Sequence, residues 1–153
     1  MKPFSIVRAK PSDAAALTAL AFAAKRHWGY PESWMEAWTD HLTITPEFIL
    51  RHPTVVAKRD GELLGVAGFE ITGDDALLLH LWVEPAAMRQ GIGAALFAEC
   101  EANARRAGAV RLIVESDPHA EGFYRKMGAR LRGRVPAHVQ NVERFLPRLE
   151  KLL

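Results

Sequence analysis

The chain has 153 residues, of which 49% are hydrophobic and 25% are charged. This length fits one domain around one core, so we expect a single domain over residues 1–153. No apolar run approaches the ~20 residues that a membrane span needs, and residues 1–13 contain no apolar stretch typical of a signal peptide. We therefore expect a cytoplasmic protein with no membrane partner. The only cysteine, Cys100, cannot form an internal disulfide and is predicted to be a small core residue.

The net charge of +2 hides an uneven distribution along the chain. Residues 103–153 contain 11 Lys and Arg against 5 Asp and Glu, whereas residues 1–102 contain 9 against 13. A basic side could attract an anionic cofactor, although solvated faces explain the pattern equally well. No run of Lys and Arg with interleaved aromatic residues is present, so we expect no nucleic-acid partner.

Helix signals dominate the first fifty residues. Phe4 to Arg8 is predicted to be a short strand, and Pro11-Ser12-Asp13 is typical of a helix start. The Ala-rich segment that follows predicts a helix to about Arg26. A second helix is predicted from about Pro31 to about Asp40, and Thr45-Pro46-Glu47 indicates the start of a third.

Three strands are predicted next. The apolar runs Thr54 to Ala57 and Leu63 to Phe69 flank Asp60-Gly61, which is a strong signal for a tight hairpin. Gly73-Asp74-Asp75 then turns the chain into a strand from Ala76 to Val83. We expect these three strands to be antiparallel neighbours.

Helices and strands alternate again in the last third of the chain. The predicted elements are a helix over 91–107 that Gly108 ends, a strand over 110–114, a short helix over 119–127, and weaker strands around 129–134 and 143–149. The whole order predicts an α/β (α+β) fold with a mixed, mostly antiparallel sheet of about six to seven strands and helices on both faces.

The clearest binding signal lies in VEPAAMRQGIGA, which runs from Val83 to Ala94 as a strand end, a loop and a helix start. Glycines allow the backbone to approach a ligand closely, and the unpaired N–H groups of a helix start suit a pyrophosphate. The segment therefore predicts an anion site made by Arg89, Gln90, Gly91, Ile92, Gly93 and Ala94.

This segment resembles the Arg/Gln-x-x-Gly-x-Gly/Ala motif that follows the fourth strand of GNAT-superfamily N-acetyltransferases. The family's Arg/Gln position falls on Met88, and Arg89 or Gln90 is expected to compensate. A rival interpretation is a dinucleotide-binding fingerprint, because Gly91 to Leu96 is close to the pattern G-x-G-x-x-G and Glu115 ends the next predicted strand. Against it, Leu96 takes the place of the third glycine, and the strands before the loop form a meander rather than a βαβ unit.

A second motif follows the next predicted strand, in ESDPHAEGFYRKMGA over residues 115–129. It resembles the GNAT signature Asn-x-x-Ala-x-x-Phe-Tyr-x-x-x-Gly-Phe. Asp117 takes the Asn position and Ala129 the final Phe position, while the matching positions are Ala120, Phe123, Tyr124 and Gly128. Two motifs in the correct order are more specific than either alone, and together the resemblance covers about residues 64–130.

The resemblance implies direct transfer of an acetyl group from acetyl-CoA to an amine, with no metal and no covalent enzyme intermediate. It implies that backbone groups of Trp82 and Val83 hold the pantetheine, that residues 89–94 hold the pyrophosphate, and that Asp117 and Phe123 lie on the cofactor side. Tyr124 matches the family tyrosine that protonates the departing thiolate, a step suited to a phenol. The alternative for Tyr124 is packing of the short helix against the sheet.

The acceptor side and the general base are less defined by the sequence. In the family the region between the first helices forms a wall of the acceptor pocket, which makes His27, Trp28 and Tyr30 candidates for substrate contact. An attacking ammonium must lose a proton, and His80 and Glu84 are candidate bases. A core histidine, a solvated glutamate and a water-mediated proton loss are the alternatives.

The expected partner is a small-molecule or peptide amine whose identity the sequence does not settle. A homodimer is compatible with the resemblance. A different class of function is a non-catalytic acyl-CoA-binding sensor on the same fold, against which the retention of Tyr124 argues.

Overall fold

The computed structural model describes residues 3–153. Within that part of the chain the strands are β1 (Ser5–Arg8), β2 (Thr54–Arg59), β3 (Glu62–Thr72), β4 (Asp75–Val83), β5 (Arg111–Glu115), β6 (Arg130–Val139) and β7 (Val142–Leu152). The helices are α1 (Ala14–Arg26), α2 (Glu32–Ala37), α3 (Thr39–Leu42), α4 (Pro46–Arg51), α5 (Ile92–Arg106) and α6 (Glu121–Lys126). Short 3₁₀ turns precede α1, α5 and α6.

All seven strands form one sheet in the order β1-β2-β3-β4-β5-β7-β6. Neighbouring strands are antiparallel except β4 and β5, which are parallel. This confirms the predicted mixed, mostly antiparallel sheet. The antiparallel meander of β2, β3 and β4 lies before the glycine loop, where a dinucleotide-binding fold would have a βαβ unit, so the dinucleotide interpretation is wrong.

Helices cover both faces of the sheet because alternate side chains of each central strand point to opposite sides. Val55 and Ala57 of β2 lie in one core with Leu96 of α5. Val56, between them, lies in a second core with Leu17 of α1. The sheet is thus the middle of three layers, and its faces bury the apolar stripes of α1 and α5.

Cys100 lies on the buried face of α5, where burial raises the pKa of its thiol to about 12. Among residues 3–153, no helix is both long enough and apolar enough to cross a membrane.

Two predicted elements differ from the structure. The helix predicted from Pro31 to Asp40 is divided into α2 and α3, because Trp38 leaves the helical conformation and the Thr39 hydroxyl donates a hydrogen bond to the Glu36 carbonyl instead (2.7 Å). The last two strands are longer than predicted. A two-residue turn at Gln140-Asn141, both with positive φ, joins them into one long hairpin.

The parallel pair opens into a fork, which determines where the site lies. β4 and β5 pair only over Asp75–Leu77 and Arg111–Ile113, and then separate. Just beyond the last pair, β4 bulges: Phe69 pairs with Leu78 and Gly68 with His80, so Leu79 has no partner in β3. The side of β4 that faces β5 is therefore unpaired from Leu78 to Val83.

Candidate active site

A cavity of about 960 Å³ occupies the fork between β4 and β5. Its walls come from the unpaired part of β4, the start of α5, the end of β5, α6, the end of α1 and the β6–β7 hairpin. Elements distant in sequence therefore meet around one space. A volume of this size can take a large organic ligand together with a smaller one.

One end of the cavity is a row of unpaired backbone donors at the start of α5. Gly91 caps the helix with φ of 80°, and Arg89 also has a positive φ of 64°. The N–H groups of residues 89–94 make no hydrogen bond with any group in residues 3–153. Successive free N–H groups at a helix start attract anions. Arg89 lines the cavity beside them, as do Gly91, Ile92, Gly93 and Ala94.

Gly93 keeps this end of the cavity open to α6. A Cβ added at Gly93 would lie 3.2 Å from the ring of Phe123 and 3.7 Å from Val83. Any larger side chain would therefore fill the space between the helix start and the end of β4. Gln90 does not line the cavity. Its Oε1 instead accepts a hydrogen bond from Arg59 at 2.8 Å.

Tyr124 of α6 lies deeper in the fork. Its ring is buried against Phe97 and Phe123, with ring centroids 6.0 and 5.1 Å away. Its hydroxyl forms no hydrogen bond with residues 3–153 and is not sealed in the interior, so it opens to the cavity that the residue lines. Burial, together with the charge of Asp117, raises the pKa of Tyr124 well above its usual value, so the phenol keeps its proton at neutral pH.

A buried ion pair joins the two sides of the cavity. Lys25 at the end of α1 donates to Oδ2 of Asp117 at 2.6 Å, and the Tyr30 hydroxyl donates to the same oxygen at 2.8 Å. Burial alone would raise the pKa of Asp117, but the charge and hydrogen bond of Lys25 lower it to about 2. Burial raises the pKa of Tyr30 to about 12. The carboxylate is thus held ionised and fully engaged.

An aromatic cluster lies next to this ion pair, and of its rings Trp28, Trp38 and His119 line the cavity. Trp28 stacks on His119 with centroids 4.8 Å apart, and Tyr30 stacks on Trp34 at 5.8 Å. Trp38 meets the Tyr30 ring edge-on at 4.9 Å. Lys25 Nζ lies 4.4 Å from the Trp38 ring centroid, a favourable position for a cation over an aromatic face.

The two candidate bases lie outside the cavity wall. His80 is buried, and its Nδ1 accepts a hydrogen bond from Trp82 Nε1 at 3.0 Å. Because an indole N–H only donates, a neutral His80 carries its proton on Nε2. Burial lowers the pKa of His80 to about 4. Glu84 begins the turn after β4, where its N–H donates to the Leu64 carbonyl and its own carbonyl accepts from Ala87.

The structure brings most of the sequence-predicted site residues to one cavity. Those that line it are Trp28, Trp82, Val83, Arg89, Gly91, Ile92, Gly93, Ala94, Asp117, Phe123 and Tyr124. Those that do not are His27, Tyr30, His80, Glu84 and Gln90, although Tyr30 reaches the cavity network through Asp117.

Sequence reasoning missed three cations of the cavity wall, which are Lys25, Arg144 and Arg148. Lys25 is one of two basic residues in the last turn of α1, where cations are common, and nothing in the sequence distinguishes it from Arg26. Arg144 lies on β7, outside both motifs. The one available signal is the basic composition of residues 103–153.

Metal ligation has no visible basis in the described residues: within 3–153, no three His, Cys, Asp or Glu side chains gather in a way that could hold an ion.

A helix start with unpaired N–H groups, a forked parallel pair and a tyrosine hydroxyl meet in one cavity, an arrangement that suits an acyltransferase. A sequence model of the acetyltransferase (GNAT) family matches residues 16–129. The chain belongs to this family and is an acyltransferase. A search of curated protein sequences gave no significant match.

Solved structures agree on the fold over the full length. A GCN5-related N-acetyltransferase from Rhodopseudomonas palustris is similar with a TM-score of 0.81 and 22% identity, covering 100% of this chain and 98% of that one. PaiA N-acetyltransferase from Thermoplasma acidophilum, in complex with coenzyme A, gives 0.82 and 20%, covering 99% and 100%. YncA from Salmonella typhimurium, with its cofactor acetyl-CoA, gives 0.69 and 21%, covering 99% and 94%. At these identities the likeness establishes the fold alone.

Proposed function

We propose that this acetyltransferase moves an acetyl group from acetyl-CoA directly to the primary amine of a small-molecule or peptide acceptor. The observation that carries the proposal is the placement of two features in one cavity: the unpaired N–H groups of residues 89–94, and the hydroxyl of Tyr124. The first suits a pyrophosphate and the second can supply a proton to a leaving group.

The residues around the fork fit coenzyme A. The free N–H groups of residues 89–94 can donate to phosphate oxygens, and Arg89 and Lys126 add positive charge to the same wall. The unpaired edge of β4 at Trp82 and Val83 offers backbone groups to an extended amide chain such as pantetheine. The Phe123 ring packs against Gly93 at the start of α5. Acetyl-CoA, when bound, supplies the activated acyl group.

Tyr124 is proposed as the general acid. Its raised pKa means that the hydroxyl carries a proton at neutral pH, and the proton can pass to a sulfur on which negative charge builds. Because the hydroxyl has no hydrogen-bond partner in residues 3–153, its proton is not committed to another group of the protein.

Proton loss from the acceptor amine is proposed to occur through water. His80 and Glu84 remain predictions as bases, but neither lines the cavity, and the Nδ1 lone pair of His80 is occupied by Trp82. Water in the cavity can take the proton instead.

Cofactor binding is tested by isothermal titration of acetyl-CoA into the wild type and Gly93→Glu. The new carboxylate would fill the space against Phe123 and repel phosphate, so we expect binding to be lost, together with the rise in melting temperature that a native-state ligand gives. The matched control is Gly133→Glu, because Gly133 lies on β6, outside the cavity, with open space around it. Equal binding by the wild type and Gly93→Glu would contradict the proposed site.

Turnover separates the enzyme from a non-catalytic acyl-CoA sensor. Release of free thiol from acetyl-CoA in the presence of a panel of amines is expected for the enzyme. Acetyl-CoA binding without thiol release across the panel would favour the sensor.

A further inference from the structure

Arg144 of β7 lines the cavity and is held in one position by its neighbours. Its Nη2 donates to the Tyr30 hydroxyl at 3.0 Å. Its guanidinium carbon lies 5.2, 5.6 and 5.4 Å from the ring centroids of Tyr30, Trp34 and Trp38. Three aromatic rings and one hydrogen bond thus fix a side chain that is otherwise among the most mobile.

The positive charge of Arg144 has no carboxylate partner within residues 3–153. Asp117, which the Tyr30 hydroxyl links to Arg144, is already neutralised by Lys25. Glu115, the other carboxylate of the wall, faces Arg148 across the β5–β7 pair. Among residues 3–153, the cavity wall carries five Lys and Arg, which are Lys25, Arg89, Lys126, Arg144 and Arg148, against these two acids.

Arg89 precedes α5 and Lys126 ends α6, whereas Arg144 of β7 packs against the aromatic cluster. A guanidinium has five N–H donors, and the Tyr30 hydroxyl takes one of those of Arg144. The remaining donors make no hydrogen bond with residues 3–153. A planar carboxylate can accept two of them at once, and little conformational entropy is lost because the arginine is already ordered.

We propose that Arg144 binds a carboxylate of the acceptor, and that the acceptor is therefore an amino acid or a similar small amine with a carboxylate. The inference rests on the proposed N-acetyltransferase function. Exposed apolar side chains of the same wall, Trp28 and Leu79, favour an acceptor that also has an apolar side chain. A polyamine is disfavoured, because each additional positive charge would face Lys25 and Arg144.

The test compares amino acids with their amides, which keep the amine and the shape but lack the negative charge. The probes are phenylalanine with phenylalaninamide, and leucine with leucinamide. Binding is measured by calorimetry in the presence of CoA, which carries no acetyl group, and turnover by thiol release from acetyl-CoA. We expect the wild type to prefer each amino acid over its amide by about tenfold or more in both measurements.

Arg144→Gln is expected to reduce this ratio to near one, and Arg144→Lys, which keeps the charge without the planar fork, to an intermediate value. Arg132→Gln is the matched control, because Arg132 lies on the same hairpin and does not line the cavity; the preference should be unchanged. Melting temperatures show whether each variant is folded. If Arg144→Gln does not fold, Arg144→Lys tests the proposal in its place.

The two proposals fail in different ways. Preferred binding of the amino acids with no turnover would overturn the catalytic function and leave the carboxylate site standing. Turnover of amides or spermidine at rates equal to or above those of the amino acids would overturn the carboxylate site and leave the enzyme. Absence of binding by either amino acid at up to ~10 mM would also overturn the site, since a weaker interaction than this is not specific recognition.

Discussion

The proposed chemistry depends most directly on the hydroxyl of Tyr124. The ring is packed between Phe97 and Phe123, which any aromatic side chain could satisfy, but the hydroxyl opens to the cavity without a protein partner in residues 3–153. A purely structural tyrosine usually hydrogen-bonds its hydroxyl when buried. The Tyr124 hydroxyl is therefore able to donate its proton to a ligand in the cavity.

Tyr124→Phe separates the acid from a packing residue. We expect kcat to fall by about 10²- to 10⁴-fold, because the proton donor is removed while the ring is kept. The melting temperature and the affinity for CoA should change little, since no hydrogen bond within residues 3–153 is lost. Both are measured on the purified variant with any acceptor that gives turnover. Near-normal kcat with an intact fold would refute the acid assignment.

Sequence reasoning could bring together residues that belong to local motifs. Gly91, Gly93 and Tyr124 belong to short contiguous motifs, and each lines the cavity. Their roles stay predictions. Sequence reasoning could not find Lys25 or Arg144, because their roles depend on Asp117 and Tyr30, partners that are about 90 and 114 positions away in the chain. For His80 the limit was different. Strand alternation puts His80 on the same side of β4 as Trp82, whose indole donates to it, but alternation alone does not say which face of the sheet that is.

Among the elements, α5 and the strands beneath it must approach closely to place the free N–H groups at the fork. Gly65 of β3 allows this contact. A Cβ at that position would lie 2.9 Å from Leu96 of α5 and 3.0 Å from the Trp82 carbonyl, closer than side chains normally pack. The carbonyl belongs to the backbone of β4, so it cannot move aside without moving the strand.

Gly65→Ala is therefore expected to lower the free energy of unfolding by about 1–3 kcal/mol, as overpacking of a core does. It should also weaken binding of CoA, because α5 is displaced from β4. Gly122→Ala in α6 is the control: a Cβ there meets no atom within 4 Å, so no destabilisation is expected. Urea denaturation and CoA titration of both variants make the comparison. Equal stability of the two variants would show that the contact relaxes.

The bounds of most elements followed from turn and capping residues, but two features did not. The division between α2 and α3 depends on Trp38 packing against Lys25 and Tyr30, which lie elsewhere in the fold. The fork between β4 and β5 depends on where a parallel pair ends, and the side chains of Leu77 and Leu78 give no local signal of that point.

At the scale of the whole molecule, the Lys25–Asp117 pair ties the helical layer to the loop after β5. The side chains are only 8% and 9% exposed, so neither charge is compensated by water. The family motif has Asn where this chain has Asp117, and the buried ammonium of Lys25 gives a physical reason for the acid. Folding without this counter-ion would leave a buried charge.

Asp117→Asn should accordingly lower the free energy of unfolding at pH 7 by about 3–5 kcal/mol, and a second change, Lys25→Met, should restore part of the loss. Because the pKa of Asp117 is lowered to about 2 in the folded state, its stabilisation is present above the unfolded value of about 4 and is lost as the pH falls toward 2. The stability curve of Asp117→Asn should be flatter in that range. Denaturant titrations at several pH values measure both effects, and parallel curves for the wild type and the variant would contradict the ion pair.

The position of β7 in the sheet bears on the order in which the parts of the cavity can form during folding. β7 follows β6 in the chain but is inserted between β5 and β6. Until β7 pairs with β5, the edge of β5 is open and the cavity lacks the wall that carries Arg144. The segments assigned to coenzyme A thus precede the arginine assigned to the acceptor in the chain. To complete the cavity, β7 must pair with β5, a strand distant in sequence, and such a contact is slow to form.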